Sequence, residues 1–365
     1  MKTLVLEKDR VRHNADTVRE KAGDRQVIAV VKGNGYGFGI VAYTKLLKEN
    51  GFDFFAVATL DEAKTLRANG IDDKLLLLSP TENPRDARDI VDLDITASIG
   101  SPVSAAALNN AALEAGKNAC AHILVDTGFG RFGFHPDEQS AMLESVKSLT
   151  NVVVEGIFSH LSASFLKKKK YTLCQLEEFT KTLDFFKNEG VEFKYTHLAN
   201  SCALFLYPET LFDTVRVGSA LIGRLPVKTG KGKLMPCGYI EAEIDCPRYI
   251  PEGHNVGYAN TCKVKKATRV AVVPLGYGDG YAAAKAHDTF RVRDKLRYIF
   301  TDVKALLKKG GMYCTVNGKK AKVLGRVGLS NCVIDVTGIS CEAGDIARFE
   351  INPLYVDSSV DREYR

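Results

Sequence analysis

Short apolar runs alternate with amphipathic stretches over the first 225 residues of the chain. Eight such runs occur, and they begin at Val27, Phe54, Leu75, Asp94, His122, Val152, Tyr195 and Thr214. Stretches between them, such as those that end at Gly70 and Gly190, have the pattern of helices that stop at a glycine. Apolar strands that alternate with helices predict a parallel sheet covered on both faces. Eight units favour a (β/α)8 barrel over an open doubly wound sheet.

The pattern changes after Leu225. A lysine- and glycine-rich segment, VKTGKGKLMP, resembles a linker, and the runs beyond it are short, of β type and separated by glycine-containing turns. We therefore predict two domains: the barrel over residues 1–225 and a mostly antiparallel β domain over residues 226–365.

Composition narrows the function classes. The net charge is only +6, and the one basic run, Lys167 to Lys170, has no interleaved aromatic residues, so it predicts a solvated surface rather than a nucleic-acid site. No stretch approaches about 18 uninterrupted apolar residues, which argues against a membrane span. The N-terminus lacks a signal-like apolar segment, and the nine cysteines form no CxxC pair, so we expect reduced thiols and a cytoplasmic location. The seven histidines lack metal-ligand spacing, so no metal is expected.

Polar residues follow the predicted strands at the end where barrel enzymes place their chemistry. They are Lys32, Arg131, His160, Ser201 and Arg216, whereas the strand interiors are almost wholly apolar. A lysine at a strand end is usually a surface residue. Lys32, however, opens the glycine-rich sequence KGNGYGFG, and a desolvated lysine is a competent Schiff-base nucleophile.

A phosphate-binding site is expected after strands seven and eight of such a barrel. Ser201 and the pair Gly218 and Ser219 stand at these positions. Hydroxyl groups and glycine-flanked backbone amides suit a phosphate monoester, although small residues at strand ends are common.

Seven motifs of this chain resemble, in the same order, those of alanine racemases and related fold-type III pyridoxal-phosphate amino-acid racemases. They are VVKGNGYGFG, DTGFGRFGF, GIFSHLSAS, THLANSCALF, VRVGSALIG, NVGYANT and VPLGYGDGY. The resemblance covers nearly the whole chain. It implies pyridoxal 5'-phosphate as cofactor, racemisation of a free amino acid with alanine as the default, and a homodimer with shared active sites.

The resemblance implies a role for each matching residue. Lys32 would hold the cofactor as a Schiff base and act on one face of the substrate Cα, and Tyr258 from the partner subunit would act on the opposite face. Arg216 would contact the pyridine nitrogen, where fold-type III decarboxylases place a carboxylate, and would leave that nitrogen neutral. The phosphate and ring contacts would come from Tyr36, His160, Asn200, Ser201, Gly218 and Ser219, with His197 in support.

Three residues would shape the substrate pocket. Arg131 would direct its guanidinium at the cofactor phenolate and the substrate carboxylate, a geometry that lysine cannot reproduce. Tyr277, with Asp279 beside it, would line the substrate entrance, and the Leu329 backbone would contact the substrate. A further tyrosine near Tyr258 would be Tyr355 or Tyr364.

The chain departs from the family at two places. Alanine racemases commonly have GRVCMDQ where this chain has GRVGLSN, so Leu329 and Ser330 replace a Met–Asp pair. This change makes serine, ornithine or lysine plausible substrates. Some relatives also carry a carbamylated lysine where this chain has Leu124, so Arg131 must be oriented by another residue, an anion or water.

Two alternatives remain outside the racemases. A decarboxylase of related fold is disfavoured by Arg216. A non-catalytic pyridoxal-phosphate-binding protein would resemble the barrel alone, so the C-terminal domain argues against it.

Overall fold

A computed structural model of the protein describes residues 1–227, 234–284, 291–307 and 310–365. These residues form two compact units, of which one comprises Lys8–Cys237 and the other Met1–Glu7 with Gly238–Arg365. Most of the predicted linker VKTGKGKLMP, residues 228–233, lies outside the described residues. The first strand, β1 (Lys2–Leu6), belongs to the second unit.

The first unit is a barrel of eight parallel strands, and each of the eight apolar runs contributes one of them. The strands are β2 (Gln26–Val30), β3 (Phe54–Val57), β4 (Lys74–Leu77), β5 (Ala97–Ile99), β6 (Ala119–Leu124), β7 (Val152–Phe158), β8 (Tyr195–His197) and β9 (Thr214–Val217). In the sheet they lie in the order β4-β3-β2-β9-β8-β7-β6-β5. The two end strands approach each other at Thr96, whose amide donates to Leu75 O and whose carbonyl accepts from Leu77 N. The predicted barrel is therefore confirmed.

Helices follow the barrel strands, and local sequence sets their ends. Thr59 and Ser101 cap two of them through capping boxes, and Gly70 and Gly190 follow helix ends with φ of 73° and 74°. The barrel helices are Lys8–Ala22, Ile40–Glu49, Leu60–Ala68, Pro84–Asp92, Pro102–Ala115, Gln139–Lys147, Lys170–Asn188 and Ser201–Leu206.

One irregularity of the barrel lies between β6 and β7. Ala121 pairs with Val154 and His122 with Gly156, so the register shifts and Glu155 has no pairing partner. Such a bulge bends the strand locally and redirects side chains.

The second unit is built on a nine-stranded sheet and carries a two-stranded ribbon and the helix Val292–Leu307. Besides β1, its strands are β10 (Gly238–Glu243), β11 (Asp245–Ile250), β12 (Asn255–Val256), β13 (Cys262–Lys263), β14 (Thr268–Val273), β15 (Tyr313–Val316), β16 (Lys319–Leu324), β17 (Cys332–Asp335), β18 (Ile346–Phe349) and β19 (Asp361–Tyr364). The sheet has the order β11-β14-β17-β16-β15-β18-β10-β1-β19, and β12 and β13 form the ribbon. The pairs of the sheet are antiparallel except β1 with β19, as expected for a mostly antiparallel β domain.

The division between the units differs from the predicted boundary at residue 225. Strand β1 lies between β10 and β19 and buries Leu4, Val5 and Leu6 in the sheet, so the first seven residues join the C-terminal unit. This pairing joins residues more than 230 positions apart, which no local sequence pattern specifies.

Two kinds of feature, a membrane-spanning helix and a metal site, are absent from the described residues. None of their helices has the length and apolar character needed to span a membrane. Within the same ranges, no group of three or more His, Cys, Asp and Glu side chains is placed to hold a metal ion.

Candidate active site

A cavity of about 330 Å³ opens at the C-terminal ends of the barrel strands. Active sites of such barrels are built at this end, from the loops that follow the strands. Among its lining residues are nine that the sequence predicted: Lys32, Tyr36, Arg131, His160, Asn200, Ser201, Arg216, Gly218 and Ser219.

Lys32 begins a short left-handed turn rather than an ordinary helix. Gly33, Asn34, Gly35 and Tyr36 all have φ between 52° and 65°. The Glu62 carboxylate holds this turn, because its Oε1 accepts the amides of Gly33 at 2.6 Å and Asn34 at 3.3 Å. Two glycines in the run make this conformation accessible.

Glu62 also fixes the neighbouring strand end. Its Oε2 accepts the amides of Ala58 at 3.0 Å and Thr59 at 3.4 Å. One carboxylate thus joins the Lys32 turn to the loop between β3 and the next helix.

The surroundings of Lys32 lower the pKa of its ammonium group. Burial is the largest cause, and the positive charges of Arg131 and Arg216 act in the same direction, whereas Glu62 opposes them. A larger fraction of the amine is therefore neutral at a given pH. A neutral amine is the nucleophilic form.

Tyr36, Ser201 and Gly218 form a compact polar corner of the cavity. Ser201 Oγ accepts the Gly218 amide at 3.0 Å and the Ala220 amide at 3.3 Å. A Cβ added at Gly218 would overlap the Tyr36 hydroxyl group, so glycine is required there. Asn200 caps the helix that begins at Ser201.

Arg216 is held from several sides at the floor of the cavity. Its Nη2 donates to Ser159 O at 2.6 Å, and its Nη1 donates to His197 O at 2.8 Å and to His197 Nδ1 at 2.8 Å. Burial lowers the pKa of Arg216, yet a guanidinium group remains charged at neutral pH. Burial, followed by the charge of Arg216, lowers the pKa of nearby His160 to about 3.

The structure also identifies what orients Arg131, which the sequence left open. The Arg131 guanidinium carbon lies 4.5 Å from the centre of the Phe129 ring and 5.6 Å from that of Phe132. Leu124 lines the same cavity. Aromatic faces thus contact the cation, and Leu124 stands at the position where the sequence predicts no carbamylated lysine.

The Arg131 loop is itself fixed by one carboxylate. Asp126 accepts the backbone amides of Gly128, Phe129, Gly130 and Arg131 at distances between 2.8 and 3.1 Å. Burial by itself would raise the pKa of Asp126, but these amides outweigh it and lower the pKa.

The remaining predicted residues lie in the β unit. Tyr258, Tyr277 and Leu329 are 72%, 56% and 58% exposed. The Gly328–Leu329 backbone accepts the amides of Tyr277 and Gly278, and Gly328 lies beside the Tyr258 ring, so the structure groups these three residues on one surface.

Of the two C-terminal tyrosines, Tyr355 lies closer to this group. Its carbonyl packs against Gly280, directly after the Tyr277 turn, whereas Tyr364 lies in β19 and pairs with Leu6. Asp279 stabilises that turn through Lys2 Nζ and the Gly276 amide.

Sequence inspection missed Glu62, Asp126 and Phe129. Glu62 acts on backbone amides that only the fold brings near. Asp126 and Phe129 both stand in the DTGFGRFGF motif, within five residues of the groups that they contact, so the motif itself could have indicated them.

Comparison with known proteins agrees with this geometry. Residues 6–226 match the family model "Alanine racemase, N-terminal domain", and residues 239–351 match "Alanine racemase, C-terminal domain". The chain is 34% identical over 335 residues to an alanine racemase of Desulforamulus reducens, which covers 90% of this chain and 84% of that protein. It is 32% identical over 342 residues to an alanine racemase of Clostridium novyi, and the match covers 93% of this chain and 81% of that protein.

Solved structures show the same architecture. An alanine racemase from Streptomyces lavendulae superimposes with a TM-score of 0.84 at 27% identity, covering 100% of this chain and 97% of that one. An alanine racemase from Clostridium difficile 630 superimposes with a TM-score of 0.86 at 24% identity, covering 100% of this chain and 95% of that one. At this identity the match shows that the two proteins share a fold. The matches of both domains and the ordered motifs therefore indicate the same family, and the chain belongs to the alanine racemase family.

Proposed function

We propose that this chain interconverts L-alanine and D-alanine with pyridoxal 5'-phosphate, using Lys32 and Tyr258 as its two acid/base groups. The observation that carries the proposal is the position of Lys32. It lies in the cavity at the C-terminal end of the barrel, with a lowered pKa and with Arg131 and Arg216 beside it. Family membership supplies the reaction class, and the names of the curated relatives favour alanine as substrate.

The residues of the cavity fit this cofactor. Lys32 offers an amine for the aldehyde, and Tyr36, Ser201, Gly218 and Ser219 would hold the phosphate, with Asn200 supporting them. The absence of a side chain at Gly218 lets the Tyr36 hydroxyl group approach the Gly218 backbone closely in this corner. When bound, pyridoxal phosphate withdraws electrons from the substrate Cα and lowers the barrier to loss of its proton.

Racemisation requires proton transfer on both faces of a planar carbon. Lys32 would act on one face, and Tyr258 of a second copy would act on the other. The exposure of Tyr258 leaves its phenol available to another subunit. We therefore propose a homodimer with shared active sites.

Arg216 and Arg131 would orient the ligands. Arg216 would present a permanent charge to the pyridine nitrogen without giving up a proton, and His160 would lie beside the ring. Arg131 would bind the substrate carboxylate, with Tyr277 at the substrate entrance and the Leu329 backbone as a further contact. The nine free cysteines are consistent with a reducing, cytoplasmic location.

The test is a substrate panel with pyridoxal phosphate supplied. Initial rates are measured in both directions for alanine, serine, ornithine and lysine. We expect the highest kcat/KM for alanine from either enantiomer. A higher value for another amino acid would replace alanine as the substrate, and carbon dioxide release without inversion would indicate a decarboxylase.

Glu62→Ala is expected to weaken both the fold and the site. The change removes the acceptor for four backbone amides, of Gly33, Asn34, Ala58 and Thr59. We expect a loss of about 1–2 kcal/mol in the free energy of unfolding. Misplacement of Lys32 should also lower kcat by up to about 100-fold.

Denaturant titration and steady-state rates measure these two effects. Asp61→Ala is the matched control, because it removes an adjacent first-turn charge. Equal effects of both variants would contradict a specific role of Glu62.

Phe129→Leu is expected to raise KM for alanine about two- to fivefold with little change in kcat. The variant removes a ring contact to the Arg131 cation, which is worth about 0.5–1 kcal/mol at an exposed site. Phe132→Leu serves as control, because its ring lies farther from the cation and should matter less. A fall in kcat at unchanged KM would assign Phe129 a different role.

A further inference from the structure

A series of polar side chains runs through the barrel interior behind Arg216. His197 Nδ1 lies 2.8 Å from Arg216 Nη1, and His197 Nε2 lies 2.8 Å from His122 Nδ1. His122 Nε2 lies 3.5 Å from Glu155 Oε1, and Lys74 Nζ lies 2.5 Å from the same oxygen. Lys74 is the first residue of β4, so the series connects the cavity with the opposite end of the barrel. We call these five residues the interior polar network.

Only one arrangement of protons satisfies the contacts of the interior polar network. Arginine has no acceptor, so His197 Nδ1 must accept from Arg216 and carries no proton. The proton of neutral His197 is then on Nε2, from which it is donated to His122 Nδ1. The proton of His122 is therefore on its Nε2, the ring atom that lies 3.5 Å from Glu155 Oε1. A cationic ring at either position would place two N–H groups face to face.

The electrostatics of the barrel favour the neutral rings. Burial, with the charge of Arg216 acting in the same direction, lowers the pKa of His197 well below its usual value. Burial also lowers the pKa of His122, although Glu155 opposes it. Burial alone would raise the pKa of Glu155, but His122 and Lys74 outweigh it, so its carboxylate is charged at neutral pH.

The backbone is shaped around these groups. Glu155 occupies the register shift between β6 and β7 and therefore lies outside the regular pairing. A Cβ added at Gly156 would lie 2.8 Å from three atoms of the His122 ring, closer than packed atoms approach. The Phe158 ring stacks on His197, with centroids 4.9 Å apart and an interplanar angle of 6°. The two imidazoles consequently have little freedom to turn.

We propose that Glu155 and Lys74 are remote positioning residues. They help to fix which nitrogen donates the proton in each contact, from Arg216 to His197 and from His197 to His122. This order holds the Arg216 guanidinium in one orientation. Among the described residues, Arg216 Nε donates to no group, so it is the donor left for a ligand in the cavity. The catalytic consequence rests on the function proposed above, whereas the proton order does not depend on it.

Nitrogen NMR of histidine-labelled protein, with and without pyridoxal phosphate, measures the proton order directly. The His122→Asn and His197→Asn variants assign the two signals, and exposed His135 is the internal reference. We expect both buried rings to be neutral, with the proton on Nε2, from about pH 6 to 8. A proton on Nδ1 of either ring, or a cationic ring in this range, would overturn the proposal.

Two variants test the remote residues. Glu155→Gln retains a hydrogen-bond acceptor but removes the negative charge. Lys74→Met instead leaves the negative charge of Glu155 without its lysine partner. The His122 Nε2 signal should therefore move in opposite directions in the two variants. In Glu155→Gln the His197 signal should also move, and kcat should fall roughly tenfold, because a small misplacement of Arg216 disturbs the alignment of the bound ligand. KM should change less than about twofold, because the substrate contacts are untouched.

Glu177→Gln is the matched control, since it removes an exposed carboxylate that also pairs with a lysine, Lys181. It should alter neither the His122 signal nor kcat. An unchanged His197 signal or an unchanged kcat in Glu155→Gln would overturn the proposal. Wild-type protein that shows the proton order without racemising alanine would contradict the proposed function and leave the proton order standing.

Discussion

Lys32→Ala is expected to lower racemisation by more than about 1,000-fold in both directions. The variant removes both the amine that would anchor the cofactor and one of two acid/base groups, and each contribution alone is typically large. The lowered pKa of Lys32, caused by burial and then by Arg131, supplies the neutral amine that this chemistry requires.

Initial rates from L- and D-alanine, with circular dichroism as a check of folding, measure this effect. Lys32→Arg separates charge from nucleophilicity, because it retains the charge but provides no free amine, and it should be as inactive as Lys32→Ala. Lys64→Ala is the matched control, since Lys64 is partly exposed and pairs with Asp89 on the barrel surface. Retention of more than a tenth of the activity in either Lys32 variant would contradict the assignment.

Tyr258→Phe is expected to lower racemisation by about 100- to 10,000-fold. The ring is retained, so the loss would come from the hydroxyl proton and not from packing. Lys32 would still move the proton on its own face. One enantiomer of alanine should therefore exchange its Cα hydrogen with deuterated water without inversion, whereas exchange of the other should be lost.

Proton NMR of each enantiomer in deuterated water distinguishes these outcomes. Tyr249→Phe, another exposed tyrosine of the same unit, is the control. Unchanged inversion rates in Tyr258→Phe would refute the two-base proposal. Equal loss of exchange for both enantiomers would indicate a general role in binding.

Mixing the two inactive variants tests whether sites are shared between subunits. If Tyr258 serves the partner, a mixed dimer of Lys32→Ala and Tyr258→Phe chains contains one intact site and one doubly altered site. After equilibration of equal amounts, activity should return to roughly a quarter of the wild-type value by statistical mixing. If Tyr258 serves its own subunit, every site has one defect and activity does not return.

Much of the barrel and of its cavity was predictable from sequence, because the information is local. A buried parallel strand must be apolar along its length, so each strand appears as a continuous run such as the one that begins at Val27. Residues directly after strands share one end of the barrel, which is why Lys32, Arg131 and Arg216 line the same cavity.

Some supports of these residues were not predictable, because they depend on contacts between distant segments. Glu62 lies 30 positions from Lys32 along the chain yet binds the amides of its turn. In the same way, β1 joins the C-terminal unit through pairing with β10. Asp126 binds amides within five residues of itself, and there the loop conformation decides that these amides point toward its carboxylate.

The sequence by itself determined that Lys32 ends an apolar barrel strand, and the ordered motifs determined the family. Only the tertiary structure decided what surrounds that lysine and the arginines beside it. The left-handed turn, the ring faces around Arg131 and the histidines behind Arg216 arise where separate strands and loops meet. A side chain's pKa and orientation are set by such neighbours, since burial and nearby charge depend on three-dimensional proximity and not on position along the chain.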